Sequence, residues 1–329
     1  MNVPLWLWIT TVVVIVTLIC VDFVIVARNP RKPSTREAAL WVSFYAVLAV
    51  AFGAALAFTA GAEHSIAFYT GWVVEYSLSI DNLFVLILII GSFQVPPEHQ
   101  QRVLLIGIGL ALFFRALFIV AGAAAVEAYV GVFYLFGAIL LITAIKLLVS
   151  SDHDVGHAEY KENALVRRVR RVLPTTERYH GARMTVRLEG KRYITPMLLV
   201  VIAIGMADIV FALDSIPAIF GITQEPYLVF TANAFALMGL RQLYFLIGGL
   251  LDRLVYLNKG LALILSYIGV TLILHAMEYT TDLPVSSPPE LVSLGVVLGI
   301  LVVVTVASLV VSRGGQQHEP SHDPEPDPR

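Results

Sequence analysis

The sequence predicts an all-α polytopic membrane protein with about nine transmembrane helices and an inverted three-helix repeat. Three observations support this fold class. The chain has 329 residues, of which 58% are hydrophobic and 14% are charged, whereas soluble domains average roughly 45–50% and 25%. Its apolar residues form runs of about 20, the length that a helix needs to cross a bilayer. An acidic motif inside the third run occurs again in the sixth.

The nine predicted segments are residues 4–26, 38–60, 66–92, 101–121, 126–149, 194–220, 226–250, 258–279 and 290–312. Lys and Arg orient them, because these residues gather on the cytoplasmic side of a membrane. Of the 22 Lys and Arg residues, all but Arg115 and Arg241 lie in or beside loops that share one face when the N-terminus is outside. The opposite loops carry acids instead: Glu63, Glu127, Glu225, Asp282 and Glu290. We therefore predict an external N-terminus and a cytoplasmic C-terminus.

The first segment has the length of a secretory signal peptide, but its basic residues follow the apolar run instead of preceding it. This polarity is typical of a helix that stays in the membrane with its N-terminus outside. Cys20, in the same segment, is the only cysteine. No disulfide can therefore form within the chain, and we expect Cys20 to be a small packing residue.

Two regions are predicted to lie outside the membrane. The loop 150–193 is polar and basic, with the sequence VRRVRRV at 166–172. We expect it in the cytoplasm, where it would lie against anionic lipid headgroups or a protein partner rather than bind nucleic acid. The tail 313–329 is rich in proline and acids, a composition typical of disorder.

Two further stretches have residues that can bind metal. The stretch SDHDVGHAEYKE (151–162) spaces two histidines four residues apart, as helical metal sites do. His275 and Glu278 lie near the external end of the eighth segment. For both, solvated polar residues are the simpler interpretation.

The acidic motif defines the repeat. Each copy has an acid, five residues, an aspartate and a small polar residue: Glu75, Asp81 and Asn82 in the first copy, and Asp208, Asp214 and Ser215 in the second. The next segments also correspond. ALFFRALF (111–118) matches ALMGLRQLYF (236–245), which pairs Arg115 with Arg241, and ITAIKLL (142–148) matches YIGVTLI (267–273). Because three is odd, the second copy enters the membrane from the opposite side, as in many secondary transporters.

The repeat divides the chain into two N-terminal helices, a first copy, the basic loop, a second copy, a last helix and a tail: residues 1–62, 63–149, 150–193, 194–280, 290–312 and 313–329. The first, second and ninth segments are peripheral to the two copies. In transporters of this type the substrate site lies at the repeat interface, near the middle of the membrane.

Four carboxylates inside a membrane require compensation. Each costs about 2.5–3.5 kcal/mol where it faces lipid, so the acids of both motifs are expected to face inward and to be paired, protonated or bound to a cation. Arg115 and Arg241 balance two of the four charges, and Lys146 is a further candidate for charge balance. The remaining two negative charges would suit one divalent cation. Asn233 and Asp22 are secondary candidates for the same interior, and a set of structural ion pairs is the alternative.

The ligand types and their spacing constrain the site. Carboxylate, amide and hydroxyl oxygens favour Mg, Ca or Mn over Zn or Cu(I). Acids six residues apart on a regular helix point about 120° apart. Both acids of a motif therefore converge on one ion only if the helix is broken or the site is wide. Pro217, three residues after Asp214, can free carbonyl groups in the preceding turn.

Five stretches resemble the TerC family of bacterial integral membrane proteins: SLSIDNLFVL (77–86), QRVLLIGI (101–108), YHGARMTVRLEGKRYITP (179–196), DIVFALDSIPAIFGIT (208–223) and GLRQLYFL (239–246). The resemblance spans roughly residues 40–280. It implies a protein of the bacterial cytoplasmic membrane, in a family named for tellurium resistance and associated with export of manganese or its delivery to exported metalloenzymes. It also implies that the six motif residues form the metal path. The sequence departs from the family at Gly205, where many members have an acid, and at Thr271, where many have lysine.

We therefore expect a membrane transporter that exports a divalent cation, with Mn²⁺ as its favoured substrate and without an organic cofactor. The absence of a Walker pattern argues against ATP hydrolysis by this chain, and proton antiport through the carboxylates is the expected drive. One alternative is a scaffold for tellurite or envelope-stress resistance that binds metal or partners through 150–193 without transport. An intramembrane aspartyl protease fits poorly, because GMAD (205–208) lacks the second glycine of a GxGD segment. We expect no enzymatic activity.

Overall fold

The computed structural model describes residues 3–28, 33–149, 166, 168, 174–176, 178–188, 191–247, 256–281 and 288–315. In these ranges the helices are α1 (Leu5–Arg28), α2 (Thr35–Thr59), α3 (Ala62–Ser92), α4 (Pro97–Ala128), α5 (Val132–Val149), α6 (Pro196–Phe220), α7 (Pro226–Met238), α8 (Leu240–Ile247), α9 (Leu257–Thr280) and α10 (Glu290–Gly315). One hairpin joins β1 (Thr185–Leu188) to β2 (Lys191–Ile194). Within the described residues the fold is all-α apart from this hairpin and one isolated bridge between Thr175 and Ile194, which confirms the predicted all-α class.

Local sequence explains where several helices begin. The hydroxyl of Ser34 accepts a hydrogen bond from the backbone N–H of Glu37 at 3.2 Å, the N-terminal half of a capping box. Pro97, Pro196 and Pro226 occupy the first positions of α4, α6 and α7. A proline is favoured there because the first N–H groups of a helix have no partner within it.

Eight of the described helices are long and apolar enough to cross a membrane. The predicted seventh segment, 226–250, differs from the others. It is divided at Gly239 into the 13-residue α7 and the 8-residue α8, and residues 248–255 lie outside the described part. The count of nine spans therefore stays a prediction. At the other end of the chain α10 continues to Gly315, and the tail from residue 316 lies outside the described residues.

Both acidic motifs lie on continuous helices, so neither helix is broken between its two acids. Pro217 is inside α6, which continues to Phe220. Because proline has no N–H, the carbonyl of Leu213, four residues earlier and next to Asp214, receives no intrahelical hydrogen bond from Pro217. The backbone N–H of Gly221 donates to the Pro217 carbonyl at 3.0 Å and closes the last turn. The acids of each motif therefore point in different directions around their helix.

The central helices pack in a pattern that a twofold relation between the copies would produce. α3 packs against α7, α4 against α6, and α5 against α9. If α3, α4 and α5 of the first copy exchange places with α6, α7 and α9 of the second, the α3–α7 contact becomes the α4–α6 contact. The α5–α9 contact is then unchanged. Gly137 and Gly269 lie at the α5–α9 contact, where an added Cβ would come within 2.8 and 3.1 Å of the other residue's carbonyl oxygen. Small residues commonly permit such close packing in membranes. The inverted repeat itself stays a prediction.

The β-hairpin lies at the end of the predicted basic loop 150–193. Its strands pair antiparallel, with Arg187 opposite Arg192. The hydroxyl of Tyr179 donates to the carbonyl of Phe93 at 2.8 Å and ties the segment before the hairpin to the end of α3. Burial raises the pKa of Tyr179 to about 12, so the hydroxyl keeps its proton at neutral pH. The 151–162 stretch, and the VRRVRRV motif apart from Val166 and Arg168, lie outside the described residues.

Candidate functional site

The first buried charges of the site are Glu75 on α3 and Arg115 on α4. Both side chains are at most 1% exposed, and Nη1 of Arg115 donates to Oε2 of Glu75. The pair leaves several atoms without partners in the described residues, namely Oε1 of Glu75 and Nε and Nη2 of Arg115. Since unpaired buried polar groups are costly, this pair has capacity for a further ligand.

Asp208, the counterpart of Glu75 in the second copy, lies beside this pair. It is on α6 and is 8% exposed. It is close enough to Arg115 and Glu75 to interact with both electrostatically. Two acids from equivalent positions therefore lie within electrostatic range of one arginine. We call Glu75, Arg115 and Asp208 the central cluster.

Uncharged polar residues extend the central cluster along the same helix faces. Ser79 and Asn82 follow Glu75 by four and seven residues, and Ser215 follows Asp208 by seven, so each lies on the face of its acid. Ser79 and Ser215 are 0% and 1% exposed. Among the described residues, neither hydroxyl has a hydrogen-bond partner. These oxygens are available as additional ligands.

Asn233 on α7 is also buried, at 1% exposed. Neither its amide oxygen nor its amide nitrogen finds a partner in the described residues. The sequence indicated Asn233 as a secondary candidate for the polar interior of the bundle. Because its amide is buried without a partner in the described residues, Asn233 stays a candidate ligand.

Asp214 is not turned toward the central cluster. Oγ1 of Thr143 on α5 donates to its Oδ1 at 2.8 Å, and Lys146 lies close enough to interact electrostatically. Asp214 is six residues after Asp208 on an unbroken helix, so the two acids point about 120° apart. Lys146 was predicted to balance charge in the membrane, and Asp214 is the acid with which it interacts here; its role stays a prediction.

The described side chains contain no group of three or more His, Cys, Asp or Glu residues placed to hold one metal ion. The side chain of Asp81 lies outside the described residues. The predicted metal ligands whose side chains the structure describes therefore do not place three carboxylates around one point. The six-residue metal set stays a prediction, and the continuous helices favour a series of sites over one compact site.

Arg241, the counterpart of Arg115, has a different type of partner. Its Nη2 donates to Oδ1 of Asp22 on α1 at 2.5 Å, and its Nη1 donates to Oε1 of Gln101 at 3.2 Å. Arg241 and Asp208 line the same cavity of about 10 Å³. The remaining walls of that cavity are apolar residues of α3, α4, α6 and α8. The sequence predicted Arg241 as a charge-balancing residue and left the role of Asp22 open. It did not predict that they pair.

A larger cavity of about 280 Å³ opens where α3 and α7 begin and α6 and α9 end, the side predicted to be external. Its polar lining includes Glu63, His64, Gln224, Glu225, His275 and Ser293. Among the described residues that line it there is no Lys or Arg. Nε2 of Gln224 and Nε2 of His275 lie 2.6 Å apart across it. We call this space the outer cavity. From the sequence, Glu63 and Glu225 were predicted to be external acids and His275 a possible metal ligand, but no pattern indicated that the three share one cavity.

Comparisons with known proteins agree on one family. A model described as "Integral membrane protein TerC family" matches residues 60–316. An "Uncharacterized membrane protein" of Mycobacterium tuberculosis (strain ATCC 25618 / H37Rv) is 43% identical over 320 residues, which cover 94% of this chain and 81% of the relative. A protein of Escherichia coli (strain K12), named "Putative membrane-bound redox modulator Alx", is 35% identical over 305 residues, 90% of this chain and 92% of the relative. No solved structure matches the chain.

Proposed function

The chain belongs to the TerC family of integral membrane proteins, and on that basis we propose that it exports a divalent metal cation, with Mn²⁺ as the favoured substrate. One observation carries the proposal. Glu75 and Asp208, from equivalent positions of the two copies, lie buried beside a single Arg115. Two carboxylates and one guanidinium leave a net negative charge in the interior of a membrane protein, where a positive ligand lowers the electrostatic cost.

The chemistry of the donors supports a hard cation. The central cluster and its helix faces offer carboxylate, hydroxyl and amide oxygens, from Glu75, Asp208, Ser79, Ser215 and Asn82. Oxygen donors suit Mg, Ca and Mn, whereas Zn and Cu(I) favour imidazole or thiolate ligands. Several of these oxygens have no partner within the described residues. A cation bound among them would use those unsatisfied positions.

The spacing of the acids supports a stepwise path. In the predicted topology α3 and α6 run in opposite directions across the membrane. Six residues of helix rise about 9 Å. Asp81 then lies about 9 Å to the cytoplasmic side of Glu75, and Asp214 about 9 Å to the external side of Asp208. A cation would pass from Asp81 to the central cluster and then to Asp214.

The outer cavity suits the end of this path. On the same measure by which about 10 Å³ holds one water, the outer cavity of about 280 Å³ has room for a divalent cation that carries six water molecules. Carboxylates of Glu63 and Glu225 lie in its wall, and the C-terminal end of α6 contributes to it at Gly221. Carboxylates favour a divalent cation, and the described residues in this wall include no Lys or Arg to compete with it. We propose that the cation is rehydrated there before it leaves.

Proton antiport is the proposed source of energy. The carboxylates that bind the cation would take up protons when it leaves, so that one set of groups carries both ions. Manganese efflux from vesicles should then accelerate when the receiving compartment is acidified. Efflux that ignores an imposed pH gradient would contradict antiport while leaving export itself intact.

A second candidate function is a membrane scaffold that binds partners without transport. The observation that favours it is the basic hairpin, in which Arg187 and Arg192 face each other although like charges directly opposite destabilise a strand pair. A partner that supplies negative charge would relieve this repulsion. Hairpin-dependent recovery of a partner protein, without any metal flux, would favour the scaffold. The name of Alx implies redox modulation, but this chain has one cysteine and cannot form an internal disulfide.

Manganese accumulation in cells that lack their own exporters tests the transport proposal. We expect the wild type to lower cellular manganese, and Glu75→Gln, Asp208→Asn, Asp81→Asn and Asp214→Asn to fail at equal membrane expression. Glu127→Gln is the matched control, because Glu127 is an exposed acid at the end of α4. If all variants lower manganese as the wild type does, the carboxylates are structural and export through them is refuted.

A further inference from the structure

The two copies differ in what their arginines bind. Arg115 and Arg241 occupy equivalent positions, as do Glu75 and Asp208. Because Arg115 binds Glu75, the repeat predicts that Arg241 binds Asp208. Arg241 instead binds Asp22 and Gln101. Asp22 lies on α1, outside the repeat, so it has no counterpart in the other copy.

Arg241 nevertheless lines the same cavity as Asp208. This cavity measures about 10 Å³, and the other described residues in its wall are apolar. A space of this size holds about one water molecule. A change of side-chain conformation could therefore join the guanidinium to the carboxylate without displacement of another charged group. In the described part of the chain no hydrogen bond engages Asp208.

A cation and Arg241 cannot both neutralise Asp208. If Arg241 bound Asp208, the central cluster would hold two arginines and two acids, and no net negative charge would remain for a cation. While Arg241 is held by Asp22, Asp208 shares only Arg115 with Glu75. The partner of Arg241 therefore determines whether the central cluster attracts a cation.

We propose that Asp22 is a positioning residue that holds Arg241 away from Asp208 while a cation is bound, and that transfer of Arg241 from Asp22 to Asp208 displaces the cation. This inference rests on the proposed cation export. In transporters built from inverted repeats, the copies exchange conformations as the site changes the side to which it opens. Pairing of Arg241 with Asp208, while Arg115 stays on Glu75, would give the second copy the contact that the first copy makes here. The break between α7 and α8 at Gly239, two residues before Arg241, is placed to permit it.

The test measures Mn²⁺ binding to the purified full chain in nanodiscs by electron paramagnetic resonance, and Mn²⁺ flux in proteoliposomes. Asp22→Asn removes the charge that holds Arg241. If Arg241 then occupies Asp208 about nine-tenths of the time, the apparent Kd and the KM rise about tenfold. Asp22→Glu retains the charge and is expected to remain within about twofold of wild type.

A double variant separates this role from a structural one. Asp22 acts through Arg241, so in an Arg241→Gln background Asp22→Asn should produce no further change in Kd. The double variant also removes both buried charges together, which avoids the large penalty of leaving one unpaired. Thr11→Val is the matched control on α1. It removes the 2.8 Å contact between the Thr11 and Tyr227 hydroxyls but does not touch Arg241, and should leave Kd unchanged.

The outcomes distinguish the two proposals. If wild-type protein neither binds nor moves Mn²⁺, the proposed export fails. If wild type transports and Asp22→Asn has the wild-type Kd and KM, the positioning role of Asp22 is refuted while export stands. If the effects of Asp22→Asn and Arg241→Gln on Kd add fully, or Thr11→Val matches Asp22→Asn, α1 acts only as a packing element and the inference is likewise overturned.

Discussion

Removal of Arg115 should destabilise this protein more than removal of either acid beside it. Arg115 is 1% exposed and contacts Glu75, which is 0% exposed, with Asp208 within electrostatic range. Arg115→Met leaves both carboxylates without a cation. Breaking a buried ion pair by removal of one partner typically costs about 3–5 kcal/mol. We expect a loss of that size in the free energy of unfolding.

Glu75→Gln should cost less, because Arg115 keeps Asp208 as a neighbouring acid. The loss then approaches that of one hydrogen bond to a charged group, about 1.5–3 kcal/mol. In the double variant Glu75→Gln/Arg115→Met, one unpaired acid remains instead of two. The double variant should therefore be more stable than Arg115→Met alone, which is the reverse of additive behaviour.

Equilibrium unfolding in mixed micelles, titrated with a denaturing detergent and followed by circular dichroism, measures these differences. Glu127→Gln serves as the control, since its side chain is exposed and its loss should fall within about 0.5 kcal/mol. Equal losses for Arg115→Met and Glu75→Gln would show that Asp208 does not share Arg115. A double variant that loses the sum of the single losses would refute the coupling of the three residues.

Three further predictions concern single positions. Gly137→Ala should reduce the free energy of unfolding by about 1–3 kcal/mol, because its Cβ would come 2.8 Å from a carbonyl oxygen of α9. The control is Gly91→Ala, whose added Cβ would meet no atom within 4 Å. This control should not be destabilising in the same detergent titration. Ser215→Ala should change the free energy of unfolding by less than about 0.5 kcal/mol, since the Ser215 hydroxyl has no partner in the described residues. The same variant should raise the KM for Mn²⁺, and an unchanged KM would exclude Ser215 as a ligand. Thr143→Val removes the hydrogen bond to Asp214 and should cost about 1–3 kcal/mol and slow vesicle efflux; efflux at the wild-type rate would separate Asp214 from the path.

Much of the fold follows from the sequence, because lipid imposes simple requirements on a chain. Apolar runs of fixed length and the sorting of Lys and Arg identify the helices without tertiary information. Run length and charge are not sufficient at residues 226–250, where composition predicts one transmembrane span and the structure divides it at Gly239. The hairpin is also not predicted, because its strands are only four residues each, the shortest run that a strand pattern can identify.

The candidate site could be predicted in composition but only partly in geometry. Buried acids and arginines are detectable because their cost in lipid is large, and Glu75, Arg115 and Asp208 are together as the repeat suggests. Asp214 could not be assigned to a partner, since that depends on which face of α6 meets α5. The outer cavity combines residues from four separate parts of the chain, and no local pattern marks such a set.

The pairing of Asp22 with Arg241 could not have been derived from the repeat, and the reason bears on function. Symmetry between copies predicts contacts that each copy makes with the other, and it does not constrain contacts with helices outside the repeat. α1 is such a helix, and its Asp22 binds the one arginine that symmetry assigns to Asp208. A strictly symmetric arrangement would neutralise both central acids and leave no net charge to attract a cation. An acid on a peripheral helix removes this difficulty, because it engages one arginine and leaves Glu75 and Asp208 to share the other.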